Sequence, residues 1–198
     1  MNLPNKLTVS RFALTALFLW ALFSPLRFND TLALFFFCVA GFTDYLDGSI
    51  SRRRGLITNF GILMDPLADK ILVCSAFIAF VESTQLNPDA PFKVTAWMVI
   101  IIVARELAIT GMRLLAASKK VVLAAENFGK LKTVSQIVAI IALLVTDASK
   151  EWSPWLQGVF QPWVGTFAHV ALWATVVLTV VSGLIYLWRN RAIYLSDA

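Results

Sequence analysis

Charge is scarce in this chain: 15% of its 198 residues are Asp, Glu, Lys or Arg, while 59% are hydrophobic. Soluble domains carry roughly 25% charged and about 45–50% apolar residues. An ordinary soluble enzyme is thereby excluded, and so are a disordered chain and a collagen. Cysteine is nearly missing. Cys38 and Cys74 stand alone, with no CxxC or CxxH spacing, so a disulfide scaffold is out and both read as small apolar packing residues. Histidine occurs once, as His169. It sits near the outer start of a hydrophobic stretch and reads as an interfacial or packed side chain, not a catalyst. Strand-like alternation is absent as well.

What is present is long apolar sequence. A membrane-crossing helix needs about 20 mostly apolar residues. Six stretches qualify: 8–26, 31–50, 61–82, 94–117, 129–147 and 164–188. They leave little chain for anything else. The expected architecture is an all-α integral membrane protein, one domain over 1–198, with six transmembrane helices and a short interfacial segment at 2–8. Residues 1–26 have the charged and apolar regions of a signal peptide, but Ala21-Leu22-Phe23 breaks a small-x-small cleavage site. The segment is therefore read as the first helix.

Lys and Arg set the orientation. With a cytoplasmic N-terminus, eleven of them fall inside (Lys6, Arg11, Arg52–Arg54, Lys119, Lys120, Lys130, Lys132, Arg189, Arg191) and three outside (Arg27, Lys93, Lys150). Both termini are then cytoplasmic. The net charge of +5 is mostly a charge on that face, suited to anionic lipid. No basic run has a folded module of its own, so nucleic acid is not a partner. Trp152, Trp155 and Trp163 fall in the outer loop before the last span and read as an interfacial aromatic belt.

Four of the twelve acids crowd residues 44–69: Asp44, Asp47, Asp65 and Asp69. Asp44 and Asp47 are spaced i, i+3, and Asp65 and Asp69 i, i+4, so each pair shares one helix face. The short basic link Ser51–Asn59 joins the two helices and lets the pairs meet near the cytoplasmic surface. Four facing carboxylates cannot all stay ionised without a cation. All-oxygen ligation suits Mg2+, Mn2+ or Ca2+, not Zn2+. Room for two ions is the arrangement used for displacement at phosphorus, which implies a phosphorylated substrate. The competing reading pairs these acids with Arg52, Arg53 and Arg54 in an interfacial charge network, and accounts for one pair better than for two. Gly48 and Gly61 lie beside the acids. There a missing side chain lets a ligand approach the backbone, or else lets helices pack closely.

Residues 44–69 read DYLDGSISRRRGLITNFGILMDPLAD. This resembles the signature of the CDP-alcohol phosphatidyltransferases, D-x2-D-G-x2-A-R-x8-G-x3-D-x3-D. Asp44, Asp47, Gly48, Arg52, Gly61, Asp65 and Asp69 match in register, and Ser51 stands where the family usually has Ala. NLPNKLTVSR at 2–11, ARELAITGMR at 104–113 and GKLKT at 129–133 further resemble the bacterial phosphatidylglycerophosphate synthase branch. The last third resembles the family only in being membrane helices.

The resemblance implies a six-helix homodimer in the bacterial inner (plasma) membrane, multi-pass, with its active site facing the cytoplasm. It implies transfer of a phosphatidyl group from CDP-diacylglycerol to an alcohol, with release of CMP. Asp44, Asp47 and Asp65 would hold Mg2+ or Mn2+, two ions, together with the substrate diphosphate. Asp69 would be the general base and a further metal ligand. Gly48, Arg52 and Gly61, with Asp47, would line the cytidine diphosphate site, and Asn5 and Thr8 would reach the nucleotide from the N-terminal segment.

The acceptor needs its own argument. Arg105 and Arg113 lie roughly 80° apart around one helix, and Lys130 and Lys132 open the next span. Arginine binds phosphate with two parallel hydrogen bonds, so this basic group favours a phosphorylated acceptor, glycerol 3-phosphate. Glu106 is a poor partner for Arg105 by helix geometry, since adjacent residues do not face each other. Taken singly, Lys130 and Lys132 also read as positive-inside residues. Phosphatidylglycerol or inositol phosphate as acceptor, giving a cardiolipin or phosphatidylinositol-phosphate synthase, keeps the same fold. A small cation transporter is the rival of another class, but transporters place such acids near the midplane and carry internal repeats, and no repeat is visible here.

Overall fold

A computed structural model describes the backbone of residues 3–54, 59–86, 93–118 and 127–191, and the side chains of 9–43, 70–84, 93–116 and 131–191. The described residues contain no strand. They form six α-helices: α1 (Leu3–Leu22), α2 (Asn29–Arg54), α3 (Asn59–Leu86), α4 (Ala96–Ser118), α5 (Asn127–Ala148) and α6 (Pro154–Arg189), with a single 3-10 turn at Ser149–Glu151. Two helical stretches, Leu131–Glu151 and Pro154–Arg189, are long and apolar enough to cross a membrane among the described residues, and Val9–Leu22 and Asn29–Thr43 are shorter apolar helices.

The bundle is apolar outside as well as inside. Trp20, Phe35, Phe42, Ile100, Leu107, Val170, Leu184 and Trp188 are exposed, while Arg11, Thr15, Glu106, Lys132, Gln136, Thr175 and Thr179 are buried. Water would reject that distribution and hydrocarbon accepts it, because a bilayer core cannot satisfy polar groups and the protein interior can. This is the pattern of a membrane protein. Threonines inside the helices follow the same rule: Thr15, Thr43, Thr84, Thr110 and Thr146 donate to the carbonyl four residues earlier at 2.7–2.8 Å.

Helix α1 packs on α2 and α3, α2 on α5, α4 on α3 and α6, and α5 on α6. Small residues make close approach possible. Ala21, Ala33, Ala40, Ala76, Ala139 and Ala168 are fully buried between Phe18, Phe77, Ile140 and Leu172. Phe18 meets Phe37 with ring centroids 5.7 Å apart. The Thr175 hydroxyl crosses from α6 to the Ser135 carbonyl of α5 at 2.9 Å.

Several boundaries differ from the hydropathy reading. Ser51–Arg54 belong to α2, so the link between α2 and α3 is shorter than Ser51–Asn59. The expected interfacial segment at 2–8 is helical from Leu3 onward and continuous with α1. Trp155 and Trp163 lie on α6 and not in a loop, because Ser153-Pro154 starts that helix with proline at its first position. At 36 residues, α6 is about 54 Å long, well beyond a bilayer core of about 30 Å. Cys38 faces outward and only Cys74 is half-buried, so the packing role fits one of the two. His169 packs edge-on against Trp173, centroids 6.4 Å apart.

At the end of the bundle where α2 begins, a distant side chain closes the helix. The first N–H groups of a helix have no partner within it. Glu151 supplies one: its carboxylate accepts from the Asp30 N–H at 3.0 Å, the Thr31 N–H at 2.9 Å and the Thr31 hydroxyl at 2.6 Å. The Trp152 indole N–H donates to the same hydroxyl at 3.0 Å.

Candidate functional site

The signature residues sit on continuous helix. Asp44, Asp47, Gly48 and Arg52 belong to α2, and Gly61, Asp65 and Asp69 to α3. The i, i+3 and i, i+4 spacings are therefore helical spacings, and each acid pair shares a face. A set of four carboxylates is the donor chemistry of a hard divalent cation. The side chains of these seven residues lie outside the described residues, as do those of Asn5 and Thr8 on α1 and of Lys130 on α5. Among the described side chains no group of three or more His, Cys, Asp or Glu gathers.

Two of the predicted basic residues, Arg105 and Lys132, converge with Lys70 on Glu106. Its carboxylate lies between three helices. The Lys70 ammonium of α3 donates to Oε2 at 3.0 Å. The Arg105 Nη1 of α4 donates to Oε1 at 3.3 Å, and the Gln136 amide of α5 at 3.5 Å. Lys132 of α5 forms a direct ion pair with the same Oε1. Glu106, Lys132 and Gln136 are only 2–3% exposed. Arg105 also reaches α6, where its Nη2 lies 3.4 Å from the Ser182 hydroxyl. Gly183 makes that approach possible: a Cβ there would come within 3.1 Å of Arg105 Cγ.

This overturns one expectation from the sequence. Glu106 is a partner of Arg105 after all. Neighbouring Cβ atoms diverge on a helix, but the arginine side chain is long enough to fold back onto the adjacent carboxylate. It also changes the picture of Lys132, which is buried inside the bundle and does not lie on a wetted positive face. Arg113 stands apart. It is exposed, and its guanidinium lies 5.9 Å from the centre of the Tyr186 ring on α6, within cation–π range. Among the described groups, Arg105 and Lys132 thus share one centre and Arg113 belongs to a neighbouring α4–α6 contact.

Sequence reasoning passed over Glu106 as a hub, Lys70 and Gln136 as its partners, Ser182 as a partner of Arg105 and Tyr186 as a partner of Arg113. One signal was available. Lys70 and Glu106 are ionisable residues inside apolar stretches, and such residues are functional candidates by default.

Comparison with known proteins identifies the family. The profile of the family described as CDP-alcohol phosphatidyltransferase matches residues 1–181. This chain belongs to that family. Among curated proteins, the CDP-diacylglycerol–glycerol-3-phosphate 3-phosphatidyltransferase of Bacillus subtilis (strain 168) is 40% identical over 96% of this chain and 95% of its own length. The enzyme of the same name from Escherichia coli (strain K12) is 33% identical over 96% of both chains. That of Shigella flexneri serotype 5b is 32% identical over the same shares. The similarity spans nearly the whole of each protein.

Proposed function

We propose that this member of the CDP-alcohol phosphatidyltransferase family transfers the phosphatidyl group of CDP-diacylglycerol to sn-glycerol 3-phosphate, giving phosphatidylglycerophosphate and CMP. The observation that carries it is end-to-end similarity, at 40% identity, to a relative bearing that activity in its name. Conversion of the whole chain into a cation transporter has no support beside it.

In this reading Asp44, Asp47, Asp65 and Asp69 would hold a pair of Mg2+ or Mn2+ ions, which would supply neutralisation of the diphosphate and of the departing CMP. Gly48, Arg52 and Gly61, with Asn5 and Thr8, line the nucleotide. Asp69 takes the proton from the acceptor hydroxyl. That oxygen bonds to the phosphorus carrying diacylglycerol, the bond from this phosphorus to the CMP oxygen breaks, and CMP leaves with the electron pair. Arg105, Arg113, Lys130 and Lys132 hold the acceptor phosphate, and positioning with charge complementarity provides most of the acceleration. All six helices cross the inner membrane, with both termini and the site on the cytoplasmic side, and two copies form a homodimer among the membrane lipids.

The test is CMP release by the purified protein in detergent with CDP-diacylglycerol and Mg2+ or Mn2+. Glycerol 3-phosphate, phosphatidylglycerol, inositol phosphate and serine are supplied in parallel. Release with glycerol 3-phosphate alone is the expected result. Release with a different alcohol alone overturns the acceptor and leaves the reaction class in place.

A further inference from the structure

A structural ion pair needs one cation for one carboxylate. Glu106 has three: Lys70, Arg105 and Lys132. Two positive charges are thus left without a counter-charge among these groups, inside a helical bundle where unpaired charge is costly. The carboxylate itself is fully used. Oε1 accepts from Lys132, Arg105 and Gln136, and Oε2 from Lys70. Donors remain over. Each ammonium has three N–H groups and arginine has five, and Arg105 Nε is buried with no hydrogen-bond partner among the described residues. Among the described residues these surplus donors and two surplus charges suit an anion, and a phosphate monoester near neutral pH carries close to two negative charges.

Lys70 gives the cluster its direction. It follows Asp69 directly on α3, and its side chain is the most open of the three cations, 24% exposed against 13% for Arg105 and 4% for Lys132. One carboxylate therefore ties the helix bearing the proposed base to the two helices bearing the proposed acceptor cations.

We propose that Lys70 is a further acceptor-phosphate ligand and that Glu106 is the positioning residue that holds Lys70, Arg105 and Lys132 where a phosphate dianion meets all three. This rests on the reading of Arg105 and Lys132 as acceptor groups, and the experiment separates the two. Initial rates of CMP release are measured in detergent with each substrate varied, for Lys70→Gln, Lys132→Gln, Arg105→Gln, Glu106→Gln, Glu106→Asp and the Glu106→Gln/Lys70→Gln double variant. A charge-assisted contact to phosphate is worth about tenfold or more, so Lys70→Gln is expected to raise KM for glycerol 3-phosphate about tenfold and to leave KM for CDP-diacylglycerol unchanged. Glu106→Gln is expected to lower kcat and raise the same KM, Glu106→Asp to recover most of the loss, and the double variant to add little to Glu106→Gln.

An unchanged KM for glycerol 3-phosphate in Lys70→Gln, while Lys132→Gln and Arg105→Gln raise it, overturns the role of Lys70 and leaves the acceptor reading intact. Unchanged values in all three overturn the acceptor reading itself. Equal losses toward both substrates in Glu106→Gln, without rescue by aspartate, reduce Glu106 to a structural residue. If Glu106→Gln fails to fold, Lys70→Gln at the more open edge still decides the first half.

Discussion

Glu106 and Glu151 each collect several hydrogen bonds, and their surroundings are opposite. Glu106 lies mid-bundle among Lys70, Arg105 and Lys132. Glu151 lies at the start of α2, accepts from neutral backbone N–H groups and a hydroxyl, and has Asp30 and Asp147 nearby. A cap needs only orphan donors, and Glu151 satisfies them without any cation. The hub at Glu106 has more cations than its carboxylate can neutralise, which is why an anion is proposed to bind there. Similar hydrogen-bond counts thus mark a structural joint at one end and a candidate ligand site in the middle. Removing the side chain should cost stability and spare activity at the joint, and should cost activity at the candidate ligand site.

The largest effect is expected beside the charged hub. Asp69→Asn keeps the size of the side chain and removes the base. Loss of a general base costs about 100-fold or more, so CMP release should fall at least that far. Binding of CDP-diacylglycerol should persist. Turnover near the wild-type rate would take the base role away from Asp69 and blur the contrast between the two ends.

Glu151→Ala should do the reverse. It strips the acceptor from two N–H groups and from Thr31, a loss of about 1–2 kcal/mol by the usual worth of caps and charged hydrogen bonds. The melting temperature in detergent should drop, while kcat and both KM values at low temperature stay as they were. A kinetic defect with unchanged melting would put Glu151 in the functional machinery and erase the distinction.

Arg113 tests how far the charged region extends. It is exposed and stacked on Tyr186, so screening limits its pull on an anion. Arg113→Ala should raise KM for glycerol 3-phosphate only about threefold, in keeping with an exposed pair. No change at all would confine the acceptor site to the buried centre.

The sequence makes the outline of the bundle legible because lipid-facing residues announce themselves by hydropathy. Helix ends are less legible for the same reason: hydropathy marks where hydrocarbon lies, and helices continue past it. Ser51–Arg54 and Trp155 are helical beyond the apolar runs. The acidic signature is readable because its spacing is local, three and four residues within one helix. The two glutamate centres are not local. Glu106 meets Lys70, Lys132 and Gln136 across 36, 26 and 30 residues, and Glu151 meets Thr31 across 120. No periodicity encodes such pairs. Lys132 shows the cost most plainly, since a lysine near a helix start reads as a surface charge until packing buries it.

The last effect belongs to the cap, and pH is the lever that reveals it. Asp30 precedes the second apolar stretch. Its carboxyl is pushed up from the ordinary 3.8 to about 6, first by burial and then by the neighbouring charges of Asp147 and Glu151, with Lys150 opposing. The folded protein therefore holds a proton on Asp30 over a range where the unfolded chain has released it. Stability from this group is fully present below about pH 4 and is lost as pH rises through 6. Asp30→Asn removes the titration and keeps a similar shape. The variant should melt above the wild type at pH 7.5, and the gap should close as pH falls from 7 toward 4. A gap that stays constant over that range would mean that Asp30 titrates as an ordinary surface acid, and that the crowding of acids around Glu151 carries no cost to the cap.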